Sequence, residues 1–516
     1  MTIKAIFDEC SVPFWIDVVD NLIKQYEWEP CYWIGDPDFR DLVKNKFPKV
    51  VFHSNLDAIR GIPAPECKNI QLSVLDQPLL EELAFCQSIS LHMMNRMDRN
   101  NIFSFDEREH LFKQYLRYWS AVLEHFSPDV VVFPVSPHLV YDYVLYSLCK
   151  RKKIQTILFE QTSLDGWIYP EEQFETGSTT LKNRYRELLH SWELGKLKKI
   201  SLSDEAESYL KRVSGEYSVA VPFYMKDQFA QNNLIRFFGK KLLTNPNNLS
   251  EMIHKGWYLF SRSHYVKQTG KSIQDSNMKS WEYLFCKIEG MRKKNALKRY
   301  YHNLEKPAEF QQAYLYFPLH YQPENTSCPL GEAFVDQFLI IDMLSKCVPA
   351  DWKIYVKEHS SQWHPKLHGE CSRSPDFYDR VAALPNVQLV PISTPNFELI
   401  DHAQAVVTIT GTAGWEAVVR GKPVLLYGHA WYKFCEGVFY VPSVEACRAA
   451  LSKIQAGYAV DHEYVRLFLS VIQEMGTHAY VEPSYAKIVN ISPEENVSQI
   501  ATSLQAFYTH NRTLNN

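Results

Sequence analysis

Short runs of consecutive apolar residues punctuate this chain, separated by longer segments in which apolar positions recur every three or four residues. In the first third the runs are IKAIF (3–7), CYWIG (31–35), PDVVVFPV (128–135) and IQTILFE (154–160). Helical spacing appears in VPFWIDVVDNLIKQ between the first two, and again from about His138 to Lys150. The pattern returns with AYLYFPL (313–319), a helix over 332–346, WKIYVKEH (352–359), VQLVPI (387–392), AVVTIT (405–410) and PVLLYG (423–428), and a helical tail includes 494–508. Strands that alternate with helices predict α/β layers with parallel sheets. Two such regions predict two Rossmann-like domains, at 1–195 and 306–465. Between them, 196–305 reads as a helical insert or linker with basic and aromatic segments: LIRFFGKKLL (234–243), GWYLFSRSHYVK (256–267) and MRKKNALKRYY (291–301). Residues 466–516 read as a C-terminal helical tail. Ligands of open parallel sheets gather beyond the carboxyl ends of the strands. Two facing sheets therefore put the expected site in the cleft between them.

One strand-to-helix junction carries unusual chemistry. Thr410-Gly411-Thr412-Ala413-Gly414 lies where AVVTIT gives way to a helix. A helix N-terminus offers unpaired N–H groups and a positive dipole end. Glycines admit a phosphate close to the backbone, and threonine hydroxyls add donors or cap the helix. Glu416, in the first turn, is placed to accept from a ribose. The plain alternative is a capped turn without a ligand. The motif matches neither G-x-G-x-x-G nor G-x-x-x-x-G-K-[ST], so it is not read as a dinucleotide or P-loop fingerprint. Two more polar clusters end at the same predicted edge: Lys357, Glu358 and His359 after one strand, and His320, Gln322 and Glu324 after another. Prolines hold the second segment extended. Any one of these clusters reads as a solvated loop. The three together predict a shared anionic site that binds a nucleotide.

In the first half, Asp8 and Glu9 follow the first strand, Ser136-Pro137-His138 follow a later one, and Glu160-Gln161-Thr162 follow the next. A carboxylate at a strand's carboxyl end, facing a cleft, suits a general base or a nucleophile. Taken singly, each reads more simply as a helix cap or a structural ion pair.

Composition narrows the classes. Apolar content of 46% and charged content of 22% describe a globular protein, and 516 residues suggest about three domains. A formal net charge of −4 argues against nucleic-acid binding by bulk positive charge. The 11 cysteines are dispersed with no C-x-x-C, which predicts reduced thiols rather than a disulfide framework or a zinc ribbon. No apolar run reaches the ~18–20 residues that span a bilayer. Asp8 and Glu9 interrupt the start where a signal peptide needs its apolar stretch. The expectation is a cytoplasmic protein, peripheral on the inner membrane if the basic insert (234–301) rests on anionic lipid. The plain alternative for that insert is a solvated helix face. There is no H-E-x-x-H and no D-x-D, so no metal is expected.

YLYFPLHYQPE, IYVKEH and TITGTAGWEAVVRGKPVLLYGHAWY resemble the bacterial capsule polysaccharide biosynthesis family, which includes transferases of Kdo and other nonulosonic acids. The resemblance is firm over about 310–445 and looser over about 1–170. It implies a GT-B glycosyltransferase that takes a CMP-activated acidic sugar to a glycan or lipid-linked acceptor, with retention through a carboxylate nucleophile. It implies that Thr410, Gly411, Thr412 and Gly414 surround the donor phosphate, that Lys357 and His359 neutralise it, and that Glu416 holds the ribose. The family's E-[DE]-G-[FY] motif reads FEQTSLDGW here, making Glu160 the candidate nucleophile and Asp165 the second candidate, with Gln161 in place of the second carboxylate. Asp8, Glu9 or His138 would serve as the base. Three rivals stand beside this reading: a UDP- or GDP-sugar transferase, a UDP-sugar 2-epimerase on the same architecture, and a non-catalytic scaffold of a capsule assembly complex.

Overall fold

The computed structural model describes residues 2–98, 103–215, 280–365 and 367–515. The strands are β1 (Ile3–Phe7), β2 (Trp28–Gly35), β3 (Val51–Ser54), β4 (Val130–Phe133), β5 (Gln155–Gln161) and β6 (Trp167–Glu171), then β7 (Tyr314–Pro318), β8 (Lys353–Lys357), β9 (Val387–Leu389), β10 (Ala405–Thr408), β11 (Val424–Leu426), β12 (Val438–Tyr440) and β13 (Thr477–His478); the apolar runs supply all but β3, β6, β12 and β13. They form two sheets, ordered β13-β6-β5-β4-β1-β2-β3 and β12-β11-β10-β7-β8-β9. The second sheet is parallel throughout, and the first is parallel from β3 to β5 with β6 and β13 added antiparallel. The central strands β4 (VVVF) and β10 (AVVT) are buried along their whole length, as strands covered by helices on both faces must be. This is the expected GT-B arrangement of two Rossmann-like sheets.

Both sheets reverse their winding at one place, between β1 and β4 in the first and between β7 and β10 in the second. At such a switch point the connections leave in opposite directions and open a crevice beyond the strand ends. Asp8, Glu9 and His138 sit beyond β1 and β4. His320 and Thr410 sit beyond β7 and β10. The candidate residues thus mark both crevices.

The tail does not stay apart from the domains. Helix His462–Met475 packs against helix Thr179–Glu193. β13 then pairs with β6, and helix Pro493–Asn515 lies on helix Phe14–Tyr26, with Trp28 Nε1 donating to Gln505 Oε1 at 2.7 Å. The chain therefore returns at its end to complete the first sheet.

The described helices of the insert cover the second half. Helix Asp204–Ser214 buries Ala206, Tyr209 and Val213 against that half's core. Helix Ser280–Leu304 buries Lys294, Leu297 and Tyr301 at helical spacing. The Lys294 ammonium donates to the carbonyls of His364, Pro365 and Leu367, so this basic residue is spent inside the fold. Arg292, Lys293, Lys298 and Arg299 stay exposed. The segments 234–243 and 256–267 lie outside the described residues. No described helix is long and apolar enough to cross a membrane.

Candidate functional site

In the second half, His320 is the pivot. Its backbone is clamped on both sides by Gln337, whose Oε1 accepts from His320 N–H at 2.8 Å while its Nε2 donates to His320 O at 3.1 Å. The imidazole Nε2 accepts the Thr410 N–H at 3.2 Å. That bond fixes the tautomer, leaving Nδ1 as the protonated nitrogen. Burial, with His359 and Arg373 nearby, pushes the ring down to about 3, so it is neutral at physiological pH. Burial also brings His359 down to about 4, and its Nδ1 accepts from Ser361 N–H at 3.1 Å. His320 Nδ1 and Thr410 Oγ1 are both buried and have no hydrogen-bond partner among the described residues. Two donor groups thus stand without acceptors beside the N-terminus of helix Thr412–Val419, whose Gly414 N–H already bonds Gly411 O at 3.1 Å.

The two glycines of this turn answer to different neighbours. A Cβ at Gly411 would stand 3.0 Å from Thr408 Oγ1 and 3.1 Å from His320 Nε2, so here the close approach is to the histidine of the site. A Cβ at Gly414 would run into the Tyr432 hydroxyl, which itself donates to Gly411 O at 2.5 Å. Gly414 is therefore needed for packing against Tyr432. Thr412 hydrogen-bonds Glu416 one turn on, and burial lifts the Glu416 carboxyl to about 7.

The remaining donor-side candidates are engaged in holding loops. Gln322 Nε2 donates to Ser327 Oγ at 2.5 Å, and Glu324 Oε1 accepts from Ser327 N–H at 3.3 Å, its carboxyl lifted to about 7 by burial. The Lys357 ammonium donates to Thr394 O and Asn396 Oδ1, both at 2.5 Å, and burial brings it down to about 8. Lys357 braces the 394–396 loop, and the structure does not bring it to the His320–Thr410 contact. Glu358 is a core ion pair with Arg373 at 2.8 Å, further fixed by the Tyr378 hydroxyl at 2.7 Å.

At the first half's switch point the groups are acidic. Asp8 is buried with Oδ1 lacking a partner, and burial, reinforced by Asp142 and Glu9, drives its carboxyl well above the usual range. Glu9 is also raised by burial and accepts from the Tyr141 hydroxyl at 2.8 Å. Asp142 caps the next helix, accepting the N–H groups of His138 and Leu139 at 2.7 Å each. Between them Val140 is held at φ 73°, ψ −65°, with Tyr141 N–H reaching back to Leu139 O at 3.0 Å. This γ-turn strains a β-branched residue and marks a loop whose shape is imposed by its surroundings. His138 is lowered by burial and by Arg96, and its Nδ1 bonds Ser136 O at 3.0 Å.

Glu160 stands elsewhere in the cleft, in a pocket shared by the two halves and lined by Glu160, Tyr169, Glu171, His429, Lys433 and Phe434 among others. Burial pushes its carboxyl up to about 8. Asp165 lies in the exposed β5–β6 turn, paired with Arg212 at 2.9 Å, and does not line this pocket. Gln161 points its amide at the carbonyls of Thr162 and Trp167.

Three residues went unread in the sequence. Glu171 lies on β6, whose run WIYPE is too polar and too interrupted by Pro170 to signal a strand. Lys433 follows directly after the HAWY stretch beyond β11, but nothing in its sequence neighbourhood separates it from a surface lysine. Arg96 sits in helix Ala84–Met97 and donates across the halves, to Glu324 O at 2.9 Å, Cys328 O at 3.2 Å and His138 O.

Residues 328–476 match the family model described as capsule polysaccharide biosynthesis protein. No curated protein sequence matches the chain. Among solved structures, the chain is similar to the beta Kdo 2,4 transferase of Thermosulfurimonas dismutans KpsC, at 11% identity over 67% of this chain and 79% of that one, with a TM-score of 0.29. It is also similar to UDP-GlcNAc 2-epimerase from Methanocaldococcus jannaschii, at 12% identity over 92% of this chain and 100% of that one, with a TM-score of 0.23. A third similarity is to the UDP-GlcNAc 2-epimerase of Neisseria meningitidis bound to UDP-GlcNAc, at 13% identity over 98% and 99% of the two chains, with a TM-score of 0.21.

Proposed function

From the capsule polysaccharide biosynthesis signature over 328–476, we propose that this protein is a glycosyltransferase of bacterial surface polysaccharide synthesis. Its donor is a CMP-activated nonulosonic acid such as Kdo, and its acceptor a glycan or a lipid-linked glycan. The observation that carries the reading is the pair of buried, unpartnered donors, His320 Nδ1 and Thr410 Oγ1, at a helix N-terminus on the second sheet's switch point. That set suits the oxygens of a phosphate.

In the proposed reaction the bond between the anomeric carbon and the phosphate oxygen breaks, and its electron pair leaves with CMP. Neutral donors and a helix N-terminus stabilise the charge that develops on the phosphate, often the largest catalytic contribution. His359 stands on the same side. Glu416 is assigned to the ribose. The sugar becomes electron-poor, and Glu160 stabilises it or traps it covalently, which gives retention. The acceptor oxygen then bonds to the anomeric carbon, the bond to Glu160 breaks with its electron pair returning to the carboxylate, and the acceptor's proton passes to Asp8, Glu9 or His138. No step calls for a metal. Exposed Arg292, Lys293, Lys298 and Arg299 are assigned to an anionic membrane surface near a lipid-linked acceptor, and liposome co-sedimentation at low salt tests this.

A thermal-shift panel with CMP, CDP, UMP, UDP and GDP, with and without Mg²⁺, tests the donor. A nucleotide at about 100 times its Kd stabilises the fold by about 2.7 kcal/mol. A shift with CMP that does not need Mg²⁺ is expected, followed by transfer from CMP-Kdo read by mass spectrometry. A shift with UDP or GDP instead discards the donor and turns the search to UDP-sugar chemistry.

A further inference from the structure

Glu160 shares its pocket with a second carboxylate. β5 and β6 run antiparallel with Leu158 opposite Glu171 and Glu160 opposite Tyr169. Side chains alternate along a strand, so Glu160 and Glu171 project from the same sheet face as diagonal neighbours. Both line the pocket, and neither accepts a hydrogen bond from a described residue. Glu171 is the deeper, at 3% exposure, while Glu160 is only partly covered at the pocket wall. Buried carboxylates without donors are resolved by a cation or by a proton.

Among the described residues, Lys433 is the cation that acts on both carboxylates, and it comes from the other half. Lys433 lies in the loop after β11 and reaches across to donate to Glu175 O at 2.7 Å, with His429 Nδ1 at 3.4 Å. The other charged groups around the pocket are already matched. Glu175 takes the Tyr146 hydroxyl and the Lys150 ammonium, both at 2.5 Å. Glu332 Oε2 stands 3.4 Å from His429 Nε2, and Lys182 sits over the Phe434 ring at 5.3 Å. Tyr169 and Tyr485 contribute neutral hydroxyls to the surroundings of Glu160. One ammonium therefore faces two carboxylates, which leaves one negative charge to be cancelled by a proton.

We propose that Glu171 and Lys433 are positioning residues for Glu160, holding one proton on the carboxylate pair so that Glu171 stays neutral and Glu160 is the member that ionises toward the cleft as pH rises. The proposal rests on the reading that Glu160 faces the reacting sugar. The electrostatics run the same way. Burial raises Glu171 well above the carboxylate range, with Glu160 adding to the rise, while Lys433 pulls both carboxylates down. Because Lys433 belongs to the second half, the ionisation of Glu160 depends on the two halves being closed on each other.

The test is an infrared pH titration of carboxyl groups in the intact, substrate-free protein, with Glu160→Gln to identify the Glu160 signal. Glu171→Gln keeps a neutral group in that place and is expected to leave the Glu160 midpoint within about half a pH unit while removing the second, higher carboxyl step of the pair. Lys433→Met is expected to raise the Glu160 midpoint by about one pH unit or more, a tenfold change in proton affinity, and Lys433→Arg to restore it. The rising limb of kcat/KM against pH should move with the midpoint in each variant. A midpoint unmoved by Lys433→Met, or a Glu160 midpoint shifted by about one pH unit or more in Glu171→Gln, overturns the proposal. If Glu171→Gln does not fold, the Lys433 pair decides alone. The nucleotide panel is read without reference to this titration, so a failed donor assignment shows there. Moved midpoints with turnover insensitive to Glu160→Gln overturn the role of the trio in the reaction.

Discussion

The two switch points share a topology and differ in chemistry. Beyond β1 and β4 stand Asp8, Glu9 and Asp142, carboxylates buried against one another. Beyond β7 and β10 stand neutral imidazoles, a free threonine hydroxyl and a helix N-terminus, groups that donate. The first edge suits positive charge and protons to be removed, and the second suits negative charge. A sugar leaving a phosphate creates both charges a few bonds apart, so facing edges of opposite character can stabilise the two ends of one transition state. The same fold supplies two crevices, and side-chain choice at a few strand ends decides what each does.

Glu160→Gln breaks this comparison most severely. Transfer should fall by about a thousandfold or more while the CMP-induced melting shift persists, because the loss lies on the acidic side alone. A parallel loss of CMP binding would show that the two sides are not separable. His320→Ala should act on the other side, weakening CMP about 10–100-fold, as expected when preorganised donors are lost. Calorimetric titration checks it, and unchanged affinity would move the phosphate elsewhere.

Gly414→Ala should cost about 1–3 kcal/mol of stability by overpacking against Tyr432, and Tyr432→Phe should recover part of that. Full stability in the single variant would return Gly414 to a ligand role. The pH dependence of stability gives a subtler test. Glu160, raised to about 8 in the fold, binds its proton more tightly folded than unfolded. Its contribution is therefore fully present below the unfolded value near 4.5 and is lost as pH rises through about 8. Glu160→Gln should consequently be more stable than the parent above pH 8, by about 1–3 kcal/mol, and no different at pH 4. Denaturant melts at the two pH values check the sign. Smallest of all, Lys357→Met should change CMP affinity less than about threefold while loosening the 394–396 loop, seen as faster amide exchange there. A large loss of affinity would restore Lys357 as a phosphate contact.

Much of the frame was legible in the chain. Apolar runs such as VVVF and AVVT announce buried parallel strands because nothing else tolerates that pattern at that length. The strand-to-helix turn at 410–414 showed itself through its small residues. What could not be read were the partners of each polar group. Lys357 and His359 share one strand end, but the Lys357 ammonium is taken up by Thr394 O and Asn396 Oδ1, partners far along the chain that leave no local trace. β6 was missed because Pro170 and two adjacent glutamates disguise an edge hairpin, and with it went Glu171. Lys433 acquires meaning only when the other half arrives. The tail 466–516 looked separate since pairing across more than 300 residues leaves no local trace.

Arg96 deserves a last consequence. Its guanidinium holds the carbonyl of His138 on one side of the cleft and those of Glu324 and Cys328 on the other. Were the halves to part at this point, Arg96 would keep the His138 carbonyl and lose those of Glu324 and Cys328. Opening here carries a penalty, because a buried guanidinium would lose two of its acceptors at once.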